Sequence, residues 1–302
     1  MAVISQTHTG PEKGGNYEFH WCGSFIEAHL ISDVGKKRSR NEDSCALCVP
    51  DDRQTLSDRG ILLAVADGMG GVSGGDFASR LALQTLAEEY YTRREPTTPA
   101  RLSESVSQAN RRIFQEAENH PEYYGMGTTM SAMLIMGDHA YIAQVGDSRV
   151  YLLRKSERIW QITDDHSLVA EQVRNGYISE QEARTHSLKN LITRAVGTKE
   201  AVTVDLFAVQ LKQGDTLLIC SDGLSNVVED SELAKAMSEG DSLQAIARVL
   251  VGRALQAGAP DNVTAVLIRI TGTPPRTRLE PGAQKVSPTR TGLFGALRKL
   301  IS

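Results

Sequence analysis

Four short apolar runs of this chain begin or end at an aspartate set beside a glycine or an asparagine. They are ILLAVADGMGG with Asp67, YIAQVGDSRVYLL with Asp147, TLLICSDGLS with Asp222 and APDNVTAVLI with Asp261. Runs of this length and composition read as strands, and Asp, Asn and Gly are the residues that close strands in tight turns. A chain punctuated in this way builds sheets from many short strands, with carboxylates gathered at strand ends. Glu42 and Asp43, in SDVGKKRSRNEDS, stand in the same relation to a strand over residues 44–49.

Further strands are predicted at residues 61–66, 129–136, 140–145, 149–153, 216–220 and 262–270. Between the first two of these, Ala78, Leu81, Ala82 and Leu86 mark one helix face. Leu102, Val106, Ala109, Ile113 and Ala117 mark a second, and Leu243, Ile246, Val249, Leu250 and Ala254 a third. Helix pairs beside grouped strands, rather than strict alternation, point to an α+β layered domain. No internal repeat is visible. Residues 166–197 differ from their surroundings. They read as a short helix ending at Asn175-Gly176, then a second opened by Ser179 with Glu182 three residues on, a capping box. This small helical insertion, about residues 166–200, has the character of a movable flap.

Composition narrows the functional classes. With 40% hydrophobic and 23% charged residues the chain is of globular type, and a net charge of −4 argues against a nucleic-acid binder. The first twenty residues lack the basic start and apolar core of a signal peptide, and no apolar run is long enough to span a bilayer. The expectation is a cytoplasmic protein, and a monomer. Residues 1–22 read as a flexible arm, 23–271 as the folded body, and 272–302 as a disordered basic tail. That tail carries six Lys/Arg against one Glu, with Leu293, Leu297 and Leu300 at the spacing of a short terminal helix. A solvated tail is favoured over membrane contact, because ten residues hold lipid weakly. Cys45 and Cys48 have CxxC spacing without a second half-site. On a strand they point to opposite faces, so they read as core residues.

An Asp-Gly at a strand end is ordinarily just a turn. Gathered together, however, such carboxylates repel one another unless cations neutralise them. Oxygen donors without accompanying His or Cys suit Mg²⁺ or Mn²⁺ rather than zinc. A glycine at position 68 would let a backbone carbonyl approach a metal. The strings SDVGKKRSRNEDS, VADGMGG, GTTMSAMLI, VGDSRVYLL, TDDHSL, LITRAVG, CSDGLS and PDNVTAVLI occur in the order found in the metal-dependent protein phosphatases of type 2C. Over roughly residues 27–270 the chain resembles that family, in its bacterial form.

The resemblance implies a four-layer α-β-β-α sandwich, with two central antiparallel sheets flanked by helix pairs. It implies that Asp67 bridges two Mn²⁺ or Mg²⁺ ions beside the Gly68 carbonyl, and that Asp222 and Asp261 serve the first ion. Asp43 serves the second, directly or through water; Glu42 is the other candidate. Adjacent strand residues face opposite ways, which favours Asp43 over a joint role. Asp147, with Asp222, matches the place of a third, weaker ion near the flap. Arg38 matches the phosphate-binding arginine, whose planar fork donates two hydrogen bonds to phosphate oxygens. A water bridging the two ions then attacks phosphorus in line, so no serine or cysteine nucleophile is needed. The serines of GDSR and SDGLS are taken as turn residues.

Met69 stands where many eukaryotic relatives have a histidine, which leaves the general acid unassigned; His166 is expected to stabilise its loop. Implied partners are phosphorylated proteins, including a cognate Ser/Thr kinase and its substrates. Two alternatives stand beside this reading: a catalytically inactive binding module, against which the complete carboxylate set speaks, and a dedicated phosphoserine phosphatase of a sigma-factor pathway.

Overall fold

A computed structural model describes residues 6–70, 74–154 and 158–286. The chain opens with β1 (Gln6–Gly10), β2 (Tyr17–Cys22) and β3 (Ile26–Asp33), then β4 (Asp43–Val49), α1 (Arg53–Arg59) and β5 (Ile61–Met69). Two long helices follow, α2 (Gly75–Thr92) and α3 (Thr98–Asn119). The next strands are β6 (Gly127–Thr128), β7 (Met130–Met136), β8 (His139–Val145), β9 (Arg149–Arg154) and β10 (Arg158–Gln161). Short helices α4 (Leu168–Arg174) and α5 (Glu180–Thr185) precede β11 (Asp205–Gln210) and β12 (Thr216–Cys220). Then come α6 (Asp222–Ser225), α7 (Asp230–Glu239), α8 (Leu243–Gln256), β13 (Val263–Ile270) and β14 (Gln284–Lys285).

These strands make two sheets. One runs β1-β4-β5-β7-β8-β11-β14, with β6 on β5; the other runs β10-β9-β12-β13-β3-β2. Every pairing is antiparallel except β11 with β14. Three apolar clusters fill the spaces between four layers. Leu62, Ala132, Leu134 and Ala143 pack with Leu86, Leu102, Val106 and Ile113 of α2 and α3. Leu63, Val65, Met133 and Ile142 meet Leu30, Leu152, Leu217 and Val266 between the sheets. Leu218, Ala265 and Leu267 pack with Leu233, Ile246 and Leu250 of α7 and α8. Central strands are thus covered on both faces. This is why β7 and β8 read as continuous apolar runs rather than alternating ones. Each fully buried leucine or isoleucine contributes about 1.5–3 kcal/mol relative to exposure.

Helix ends follow their sequence signals. Thr97 accepts a hydrogen bond from the Ala100 N–H and Ser242 one from the Ala245 N–H, so each supplies an N-cap. Ser179 and Glu182 form the expected capping box, and α4 ends at Asn175 before Gly176 (φ +75°). Cys45 lies in the intersheet core and Cys48 in the helix-side core, both as free thiols.

Three expectations need correction. Residues 6–22 are not a loose arm. β1 pairs with β4 and β2 with β3, because Phe19 and Trp21 have intersheet apolar surface to cover. Residues 272–286 are not a free tail. Thr277 donates its N–H to Asp138 Oδ1 at 2.7 Å, Glu280 accepts from the Thr98 N–H, and β14 extends the first sheet. Leu279 and Ala283 also pack on the helix-side core and Val286 on the intersheet core, partners distant in sequence that composition does not reveal. Finally, Val249 is 46% exposed while Val251 is buried, so the inward stripe of α8 runs one step round from the expected one. The expected terminal helix lies outside the described residues.

Candidate active site

The acidic turns meet at one end of the intersheet cleft. Asp43 and Asp67 are cross-strand partners on β4 and β5, and both have the parity of the intersheet side chains Cys45 and Val65. From the opposite sheet, Ser221 and Thr264 flank Asp222 and Asp261 in sequence and reach across to Asp43. Ser221 Oγ donates to Asp43 Oδ2 at 2.7 Å and Thr264 Oγ1 donates to it at 2.6 Å. The other oxygen, Asp43 Oδ1, is buried without a hydrogen-bond partner among the described residues. Asp222 lies within hydrogen-bond reach of Asp67.

Backbone geometry fixes these positions. Asp67 donates its N–H to Thr129 Oγ1, and its carbonyl accepts from Thr128 Oγ1 and the Thr129 N–H, each at 2.9 Å. A Cβ on Gly68 would collide with the carbonyl oxygens of Gly75 and Glu42, so only glycine fits between them. Asn262 secures the loop carrying Arg38 and Glu42. Its amide donates to the carbonyls of Val34 and Arg40 at 2.8 and 2.9 Å, and its Oδ1 accepts from the Glu42 N–H. The Glu42 side chain turns toward Gly75 and Arg38, away from the hydroxyls that hold Asp43. Arg38, about half exposed, donates to Asp261 Oδ2 at 2.8 Å and stands 3.9 Å from Glu42.

Charge in this cluster is unbalanced. Burial, then the neighbouring carboxylates Asp43, Asp222, Asp147 and Asp261, holds Asp67 well above the ordinary carboxylate range. Asp222 is pushed up to about 6 by burial and by Asp261. Burial pushes Asp43 up to about 7, against the opposing hydrogen bonds from Thr264 and Ser221. Burial and Asp222 raise Asp147 well above its usual value, and its Oδ1 is a second buried oxygen without a partner. Glu42 is raised by burial, with Arg38 opposing. Arg38 lies at the rim and the buried Arg149 pairs with Asp165, so the two offset the repulsion among these acids only in part.

Asp147 leads to the flap. Asp165 pairs with Arg149 through both carboxylate oxygens, the shortest contact being 2.7 Å. A cavity of about 460 Å³ lies between Asp147 and Asp165 on one side and Val169, Arg174 and Arg184 of α4 and α5 on the other. A larger cavity of about 790 Å³, between β1 and α2, is lined by none of the clustered carboxylates. His166 ties the flap to the sheet. Its Nδ1 accepts from the Gly146 N–H at 3.0 Å, so Nε2 carries the proton and faces Asp205 at 3.0 Å. The histidine therefore acts as the loop anchor it was expected to be.

All the predicted positions except Asp147 crowd this cleft directly; Asp147 borders it and the flap cavity. The hydroxyl support was missed. Ser221 and Ser148 are not simple turn residues, since Ser221 holds Asp43 and Ser148 Oγ lies 2.8 Å from Thr129 Oγ1 in the core. Asn262 and Thr264 were legible only as companions of Asp261 in the PDNVT string.

The profile of protein phosphatase 2C matches residues 35–258. The chain belongs to the protein phosphatase 2C family. It is accordingly an enzyme, a protein phosphatase of the serine/threonine class. Serine/threonine phosphatase stp of Listeria innocua is 36% identical over 247 residues, which cover 80% of this chain and 95% of that one. Stp1 from Staphylococcus aureus superposes with a TM-score of 0.76 at 34% identity, over 83% of this chain and 97% of that one. The catalytic domain of the phosphatase PstP, solved in complex with two manganese ions, gives a TM-score of 0.69 at 35% identity, over 81% of this chain and 98% of its own. The two-sheet, helix-flanked architecture is the one these phosphatases share.

Proposed function

We propose that this phosphatase 2C chain hydrolyses phosphoserine and phosphothreonine in proteins, using two Mn²⁺ or Mg²⁺ ions held at the Asp67–Asp222 cluster. The observation that carries the reading is the set of buried carboxylates whose mutual repulsion Arg38 and Arg149 offset only in part, with Asp43 Oδ1 and Asp147 Oδ1 lacking a hydrogen-bond partner among the described residues. An all-oxygen donor set of this kind fits hard divalent cations. Asp67 and the Gly68 carbonyl would hold both ions, Asp222 and Asp261 the first, and Asp43 or Glu42 the second. Asp147 with Asp222 would hold a third, weaker ion. When bound, such ions acidify a water between them and draw charge from the phosphoryl group.

The remaining roles fall to the chain's own groups. Thr264 and Ser221 occupy Asp43 Oδ2 and leave Oδ1 free to serve the second ion, directly or through water. Arg38 exchanges its contact with Asp261 for the phosphate oxygens, which it binds with its planar fork. Met69 offers no proton. His166 has Nδ1 occupied by Gly146 and Nε2 facing Asp205 and Arg194, so it does not protonate the leaving group. That proton is left to a water of the site or to another residue. A cognate Ser/Thr kinase is a natural partner for such an enzyme.

The test is hydrolysis of p-nitrophenyl phosphate and a phosphothreonine peptide with Mn²⁺, Mg²⁺, Zn²⁺ or EDTA, for wild type and Asp222→Asn. Mn²⁺-supported activity that vanishes in EDTA and in the variant is the expected result. A folded, metal-loaded wild type without activity would overturn it.

A further inference from the structure

A second cluster of metal-ligating side chains lies at the far end of β3 from the acidic cleft. On β2, Glu18, His20 and Cys22 face away from the intersheet core, which takes the alternate residues Tyr17, Phe19 and Trp21. Across the hairpin, His29 stands opposite His20, and Glu27 opposite Cys22. His20 Nε2 lies 3.2 Å from Cys22 Sγ and 3.6 Å from Glu27 Oε1, and the three ligand atoms all lie within 4.8 Å of one another. Zinc bond lengths and tetrahedral angles require donor atoms about 3.4–3.6 Å apart. The three side chains are therefore already close to the spacing of a metal's coordination shell.

Hydrogen bonding around the cluster is incomplete. His20 Nδ1 is buried without a partner. His29, 1% exposed with its ring centroid 5.6 Å from that of His20, has no hydrogen-bond partner at Nδ1 among the described residues. Its Nε2 faces Glu18 Oε1 at 3.1 Å, and Glu18 is shared with Arg248 at 3.0 Å. Buried imidazoles left this way are uncommon and call for an explanation. Cys22 is exposed and free, so an ion from solvent can reach it.

We propose that His20, Cys22 and Glu27 form a binding site for a borderline-soft divalent cation of the zinc type, with His29 beside it. The imidazole–thiolate–carboxylate set suits zinc or cobalt and is distinct in chemistry from the all-oxygen cleft. Binding displaces the Cys22 thiol proton to solvent and leaves a coordination position for water. The ion would clamp β2, the edge strand of its sheet, to β3. Glu27 lies five residues from Ser32, whose Oγ is 2.7 Å from Thr264 Oγ1, and so about 16 Å along the strand from the acidic site.

Cobalt separates the two sites, because only a thiolate ligand gives a near-ultraviolet sulfur-to-cobalt charge-transfer band. The full chain is titrated with Co²⁺ as wild type, Asp222→Asn, Cys22→Ser and Glu27→Gln. The band is expected in wild type and Asp222→Asn, lost in Cys22→Ser, and reached in Glu27→Gln only at about tenfold higher Co²⁺ or more. Mn²⁺-dependent hydrolysis by Cys22→Ser verifies its fold. A wild type with reduced Cys22 and no band would overturn the proposal, and so would a band that survives Cys22→Ser. The readout is independent of phosphatase activity.

Discussion

Asp222→Asn is expected to abolish hydrolysis and yet to stabilise the metal-free protein. In the folded chain the Asp222 carboxyl rises from 3.8 to about 6, chiefly through burial and then through Asp261. At about 1.4 kcal/mol per pH unit, the charged form costs the fold about 3 kcal/mol. The sign follows from proton counting. Between pH 3.8 and 6 the folded state holds a proton that the unfolded state has lost, so wild-type stability falls as pH rises through that window. Above it the full penalty remains. Asparagine cannot ionise, and its carbonyl still accepts the Asn226 amide contact that Asp222 Oδ2 makes at 2.9 Å. In EDTA at pH 8 the variant should gain up to about 3 kcal/mol, or about 5 °C in Tm for a chain of this size. About half that gain should survive at pH 5 and little at pH 4. With Mn²⁺ at a hundred times its Kd, wild type should recover about 2.7 kcal/mol, while the variant gains much less. The assay is thermal unfolding at the three pH values, with EDTA and with Mn²⁺. A variant less stable than wild type in EDTA at pH 8, or a gain indifferent to pH, would refute the reasoning.

Other variants probe separate parts of the site. Arg38→Ala should lower kcat/KM for p-nitrophenyl phosphate by about 10²-fold, in line with loss of one aimed donor. Its Mn²⁺ requirement should hold steady or ease, because Asp261 is released. Thr264→Val removes a 2.6 Å hydrogen bond to a buried carboxylate, and should cost about 1.5–3 kcal/mol and raise the Mn²⁺ needed for half-maximal activity about tenfold. Phosphatase assays at graded Mn²⁺ check both variants. His166→Ala unties the flap from Gly146 and Asp205, so limited proteolysis should cut residues 166–197 sooner. KM for a phosphopeptide should then rise more than KM for p-nitrophenyl phosphate.

Much of this protein was determined locally, by the alternation of apolar and turn residues. Strand positions such as 216–220, the α2 and α3 faces, the Ser179–Glu182 capping box and the opposed faces of Cys45 and Cys48 follow from period and local hydrogen bonding, and the structure has them all. The carboxylates were also legible as strand-end residues, because a turn signal is local. Their gathering was not. Asp43 meets Ser221 and Thr264 across 178 and 221 residues of chain, and only the stacking of two sheets brings those hydroxyls to it. The same holds for the flanks. β1 and β2 look like a loose arm until the open edges of β4 and β3 exist to pair with them, and residues 272–286 look disordered until Asp138 and Thr98 are there to receive them. Edge pairing and buried polar contacts depend on partners distant in sequence. No window of neighbouring residues contains them, so tertiary structure alone decided where those segments lie.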